Sequence, residues 1–263
     1  MNNDFDSTGR GKEYIEAQKD LLVRKTGIIT LFNLVSPGND LRNLTDEHKI
    51  LDMLGGNGLL TKVFRTLPQS AGLKVNNPLI ITSDISMDMI ADAKANGLEA
   101  ICEPSWDLQF ADNSFDSVIV AYGTHHIEYL AETFQEVYRV LKTGGKVVVH
   151  DFEIGSNVDK WFHEVVDKFS ITGHNFKHFT REEFRDYLTN AGFHSITVDK
   201  RFDPFCSKDL IDYVQKMYGL KLEKEKVWDL INLYFGTYKI NNETASKKFW
   251  IMSRFAIVGV GTK

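Results

Sequence analysis

Apolar residues along the chain follow two rhythms, short runs of strand length and longer stretches in which they recur every three or four positions. The run Lys49 to Leu54 predicts a strand, and Leu59, Leu60, Val63 and Phe64 after it predict a helix. Leu79 to Ile81 reads as a buried strand ending at Asp84, with Ser86 placed to cap the next helix. Leu98 to Cys102 and Ser117 to Ala121 are the third and fourth strands. The spacing of Ile127, Leu130, Phe134, Val137, Tyr138 and Leu141 predicts a helix stopped by Lys142 to Gly145, before a β-branched fifth strand, Lys146 to His150. Alternating strands and helices of this kind predict a Rossmann-like α/β sheet of seven mostly parallel strands with helices on both faces.

Outside this segment the pattern adds pieces. Met1 to Lys12 reads as a mobile tail, and Tyr14 to Val35 as one or two helices stopped by Pro37 and Gly38, an N-terminal cap over 13–38. Downstream, a helix and a loop over Thr172 to Phe179 precede a helix from Thr180 to Ala191, whose Thr-Arg-Glu-Glu start is a capping box. A sixth strand over FHSITVDKRFDPF, helices over Lys208 to Tyr218 and Glu223 to Tyr238, and a last strand over WIMSRFAIVGVG complete the expectation. Residues 13–263 are thus expected to form one domain, with a helical insertion over about 206–245 as a lid or homodimer surface.

Composition narrows the setting. A net charge of −5 with scattered Lys and Arg gives no basic stripe for nucleic acid. Two distant cysteines, Cys102 and Cys206, suggest neither disulfides nor a zinc cluster. No run is long enough to span a bilayer and the start lacks a signal-peptide core, so a soluble, cytoplasmic protein is expected.

Candidate chemistry centres on LDMLGGNG, where a strand meets a turn of Gly55, Gly56, Asn57 and Gly58. Glycine admits a ligand close to the backbone, and the helix beyond offers free N–H groups. Asp52 beside the turn repels a phosphate but suits an ammonium or sulfonium group, and the G-x-G-x-x-G spacing of a dinucleotide site is absent. Asp84, at the tip of the second strand, suits both hydroxyls of a ribose.

With WDLQFADNSFD and EVYRVLKTGGKVVVHDFE, these stretches resemble, in order and spacing, the motifs of class I S-adenosylmethionine (SAM) dependent methyltransferases, close to the small-molecule, quinone-type branch. The resemblance covers about Lys49 to Glu153. Leu54 stands where the first glycine of the family's motif normally is, and Thr143 where a proline is usual. It implies SAM as cofactor and S-adenosylhomocysteine as product. It places Asp52, Gly55, Gly56, Asn57, Gly58, Asp84, Ile85, Met89, Trp106, Asp107, Leu108, Tyr122 and His126 at the cofactor, with Asp107 accepting from the adenine amine.

Methyl transfer needs positioning, exclusion of water and sometimes a base near the carboxyl ends of the strands. His125, Asp151, His174 and His178 are the candidates. No metal is expected, because one His-x-x-x-His in a loop lacks a placed carboxylate. The implied activity is methylation of an O, N or C atom of a small metabolite. A SAM-binding cyclase or pericyclase that transfers no methyl, and a protein methyltransferase, are the alternatives.

Overall fold

The computed structural model describes residues 10–71, 75–174, 176–242 and 247–263. Of the tail expected over residues 1–12, residues 1–9 lie outside them, and Arg10 to Lys12 form the first turn of a helix instead. The first half of the chain runs α1 (Arg10–Ala17), α2 (Lys25–Val35), β1 (Lys49–Met53), α3 (Leu59–Ala71), β2 (Leu79–Asp84), α4 (Met87–Ala95), β3 (Glu99–Cys102), β4 (Phe115–Ala121), α5 (Leu130–Val140) and β5 (Leu141–Asp151). It continues through α6 (Asn157–Trp161), a π-helical turn (Phe162–Val166), α7 (Asp167–Phe169), α8 (Arg181–Asn190), β6 (His194–Phe202) and β7 (Phe205–Ser207). The last elements are α9 (Leu210–Tyr218), α10 (Lys224–Tyr234), β8 (Thr237–Asn242), β9 (Lys247–Met252) and β10 (Phe255–Thr262).

The chain divides into two compact units. One comprises Ile28–Asp151, Phe179–Lys200 and Ile257–Lys263 and carries most of a seven-stranded sheet, ordered β3-β2-β1-β4-β5-β10-β6. β1 lies between β2 and β4, parallel to both, with Ile50 paired to Ile80 on one side and to Ser117 on the other. β10 runs antiparallel to β5. Strands flanked by helices on both faces need apolar residues throughout, which is why β1 is buried from Ile50 to Met53 and β4 carries Val118, Ile119 and Val120 without exposure. Phe134 and Val137 of α5, with Phe184 and Leu188 of α8, join Val118, Val147 and Val149 in this unit's core. Thr180 and Glu183 form the expected capping box of α8.

The other unit gathers the described residues of Met1–Gly27 with Phe152–His178 and Arg201–Ala256. Most of the segments expected as cap and lid lie here, around their own aromatic core of Trp161, Phe205, Tyr213, Tyr218 and Phe235. A three-stranded antiparallel sheet, β7-β9-β8, belongs to it. Two expectations are corrected in this region. The helix expected to reach Tyr238 ends at Tyr234, where Phe235 is extended and Gly236 leads into β8. The single last strand is two, β9 and β10, in different sheets, broken at Ser253 and Arg254. Arg254 causes the break by turning into the core, where its guanidinium meets Asp203 Oδ2 at 2.9 Å and donates to the Tyr218 hydroxyl at 2.8 Å. It also stacks 3.8 Å from the centre of the Phe205 ring.

Candidate functional site

Asp52 is the fourth residue of β1 and 1% exposed, and its buried carboxylate oxygens have no hydrogen-bond partner of good geometry, the Thr82 side chain exerting only a small opposing pull. Burial, with the charge of Asp84 adding to it, pushes its pKa from 3.8 up to about 8. Beyond it the backbone turns through left-handed conformations at Leu54 (φ 58°), Gly56 (φ 54°) and Gly58 (φ 79°). Leu54 therefore takes, as a leucine, a conformation that favours glycine, which explains why glycine is usual at that place.

The three glycines serve different ends. A Cβ at Gly55 would lie 2.6 Å from Thr82 Cγ2 and 2.8 Å from the carboxyl carbon of Asp52, and one at Gly58 would lie 2.2 Å from Leu98 Cδ1. These two allow close packing within the protein. Gly56 has nothing within 4 Å of where a Cβ would be, so it faces open space.

Asp84, at the end of β2, accepts from the Gly56 N–H through Oδ2 and from the Ser86 N–H through Oδ1, both at 2.9 Å. Burial raises its pKa and these backbone bonds oppose the rise. Ser86 caps α4 by accepting from the Met89 N–H, which leaves the Met89 side chain buried and the neighbouring Ile85 46% exposed.

The loop after β3 starts at Glu103, whose N–H donates to the Asp84 carbonyl. Glu103 is buried, accepts from the Gln109 N–H at 2.9 Å, and has its other oxygen unpartnered; burial raises its pKa. It was not among the expected site residues, though it follows the third strand much as Asp84 ends the second. The Trp106 ring lies 4.9 Å from that of Tyr129, Asp107 is exposed and Leu108 buried. The E-x-x-R of the fourth motif holds this loop from behind. Glu136 accepts from the Leu108 N–H at 2.9 Å, and Arg139 donates to the carbonyls of Leu108 (2.9 Å) and Phe110 (2.7 Å) while pairing with Glu136 and Asp112.

At the carboxyl ends of β4 and β5, Tyr122 adopts φ 63° and its ring lies 4.3 Å from that of His150. A 3-10 turn over Thr124–His126 delays the expected helix to Leu130 and folds His125 back over β5. There His125 Nδ1 is 2.8 Å from both oxygens of Asp151, and the His125 N–H donates to Asp151 Oδ2 at 2.8 Å. The side chains of both residues are almost completely buried, and the His126 ring lies 4.2 Å from that of His125. Two of the four expected catalytic residues are thus joined as a hydrogen-bonded pair.

His174 and His178 belong to the other unit, where the loop expected over Thr172 to Phe179 turns both of them inward. They are 4% and 1% exposed. Asp159 takes His178 Nδ1 at 2.8 Å and Asp167 accepts from the His174 N–H at 2.7 Å, which lets both rings pack with Phe162.

Residues 51–149 match a family model described as a methyltransferase domain. From β1 to β5 the chain is thus similar to methyltransferase domains. The matched segment runs from β1 to β5 and contains Asp52, the glycine turn, Asp84 and His125. A ubiquinone/menaquinone biosynthesis C-methyltransferase of Rhizobium meliloti is 28% identical over 171 residues, 60% of this chain and 65% of that protein. One of the same name from Sinorhizobium fredii is 31% identical over 144 residues, 49% of this chain and 54% of its own length. The chain therefore spans less than two thirds of either relative. The YcgJ protein of Bacillus subtilis superposes with a TM-score of 0.59 at 18% identity, over 90% of this chain and 98% of that one. A Haemonchus contortus phosphoethanolamine N-methyltransferase 2, solved with S-adenosylhomocysteine, gives 0.61 at 15% identity over 99% of this chain and 60% of its own. At these identities the structural matches speak for the Rossmann-like fold. Among the described residues no helix is long and apolar enough to cross a membrane.

Proposed function

We propose that the protein binds SAM along the ends of β1 to β4 and transfers its methyl group to an O, N or C atom of a small molecule, with His125 as base. SAM supplies an electrophilic methyl on a sulfonium, so the protein's own tasks are binding, orientation and moving one proton. The buried, unpartnered carboxylate of Asp52 beside the open cradle at Gly56 suits the cationic amino-acid end of SAM. Asp84 has lone pairs beyond its two backbone bonds for the ribose hydroxyls, and Trp106, Asp107 and Leu108 form the adenine side.

The observation that carries the catalytic part is the His125 and Asp151 pair at the strand ends. With its Nδ1 proton held by Asp151, the imidazole has its basic lone pair on Nε2. Asp151 then fixes the ring's orientation and balances the imidazolium formed when the acceptor's proton is taken.

The test combines wild type, His125→Gln and Asp151→Asn with SAM and a panel of phenols, quinols and amines, following S-adenosylhomocysteine. Wild type is expected to turn over at least one acceptor, and each variant to lose about 100-fold or more in kcat with S-adenosylhomocysteine affinity retained. Full turnover by both variants would remove His125 from the role. Absence of SAM binding by wild type would remove the whole reading.

A further inference from the structure

In the second unit, three side chains outside the proposed methyl-transfer machinery converge. Asp159 and His163 lie four residues apart across the join between α6 and the π-helical turn, and His178 comes from the segment before α8. Their donor atoms all lie within 4.8 Å of one another. His163 Nε2 is 3.4 Å from Asp159 Oδ1, and His178 Nδ1 is 2.8 Å from the same oxygen. Donor atoms arranged tetrahedrally at about 2.0–2.1 Å from a zinc ion are about 3.3 Å apart, a spacing that the 3.4 and 2.8 Å pairs bracket.

The supporting groups are those that metal ligands need. Asp167 Oδ2 lies 3.3 Å from His163 Nδ1 and, by holding a proton there, turns the lone pair of Nε2 toward Asp159. Asp167 Oδ1 is itself held by the His174 N–H, and the Gly155 N–H holds Asp159 Oδ2 at 2.9 Å, away from the cluster. The placed carboxylates absent from the sequence pattern are thus on the helix, at Asp159 and Asp167. A wide turn also explains how an aspartate and two histidines meet here, since π-helical turns are concentrated at functional sites.

We propose that Asp159 Oδ1, His163 Nε2 and His178 Nδ1 bind a divalent first-row transition metal, such as zinc, leaving a fourth position to water or another oxygen ligand. Two imidazoles and one carboxylate select this class over magnesium or calcium, which take oxygen donors. The His178 side chain is 0% exposed and that of His163 51%, so the cluster is open to solvent on its His163 side. The proton between His178 and Asp159 leaves as the metal enters.

The test uses tag-free full-length protein stripped with a chelator, titrated with Zn2+ by calorimetry and with Co2+ by visible absorption. One equivalent is expected to bind, with the d–d bands of tetrahedral Co2+. His163→Ala, at an exposed side chain, is expected to lower affinity about tenfold or more without changing the melting of metal-free protein. Asp167→Asn keeps an acceptor for His174 but donates to His163 Nδ1, forcing the wrong tautomer, and is expected to cost about 10–100-fold. No binding by wild type, or unchanged affinity in both variants, would overturn the site. Neither result depends on methyl transfer.

Discussion

Asp52→Asn isolates what the buried carboxylate costs the free protein. Its folded pKa of about 8 stands against an ordinary 3.8, so between these values folding takes up a proton. For a pKa raised on folding, the neutral form's advantage is complete below the unfolded value and is lost as pH rises toward the folded one. Stability from this group therefore falls by about 1.4 kcal/mol per pH unit from pH 4 to 8 and levels off above. At pH 7 the proton uptake costs about 4 kcal/mol in full, and about 2 to 4 once water penetration and relaxation are allowed for. Asparagine has nearly the same shape and a comparable desolvation cost without the ionisation. Urea unfolding at pH 5 and pH 7.5 should show the variant more stable, with the gap wider by about 2 to 3 kcal/mol at the higher pH. S-adenosylhomocysteine binding should weaken in the same variant, because the ligand's ammonium loses its counter-charge. Parallel pH profiles for the two proteins would refute the account of Asp52.

Two further outcomes follow from geometry. At Leu54, Gly is expected to be more stable than Ala by about 1 kcal/mol in denaturant melts, the reverse of the usual order, because φ is positive there; Ala equal or better would show that the turn relaxes. Asp203→Ala strands the buried guanidinium of Arg254 and should destabilise by about 3 to 5 kcal/mol, read from the shift of the unfolding midpoint.

What was legible in the sequence was whatever had local causes. The strands from β1 to β5, the cap at Ser86 and the capping box at Thr180 each declare themselves within a few residues. The fates of Arg254, His174 and His178 were decided by partners elsewhere. Arg254 sits in an apolar run that reads as continuous strand, and only Asp203, 51 positions away, draws it inward. The burial of the two histidines has no local signal because their partners, Asp159 and Asp167, lie on an earlier segment. At the candidate site, the acidic and glycine positions were visible by motif, while the pairing of His125 with Asp151 needed the 3-10 turn that no local pattern announces. Glu103 has no local signal, because a carboxylate before a proline carries no signature of its own.

Arg139 grips the Leu108 to Asp112 loop largely through the carbonyl oxygens of Leu108 and Phe110, and Glu136 grips it through an N–H. Every residue brings a carbonyl, and every one but proline an N–H. Apart from the Asp112 carboxylate that also meets Arg139, the hold on the loop is thus indifferent to which side chains the loop presents. Trp106, Asp107 and Gln109 can be exchanged to suit another ligand while the fastening stays the same, so recognition in this part of the molecule is free to diverge without loosening its mount.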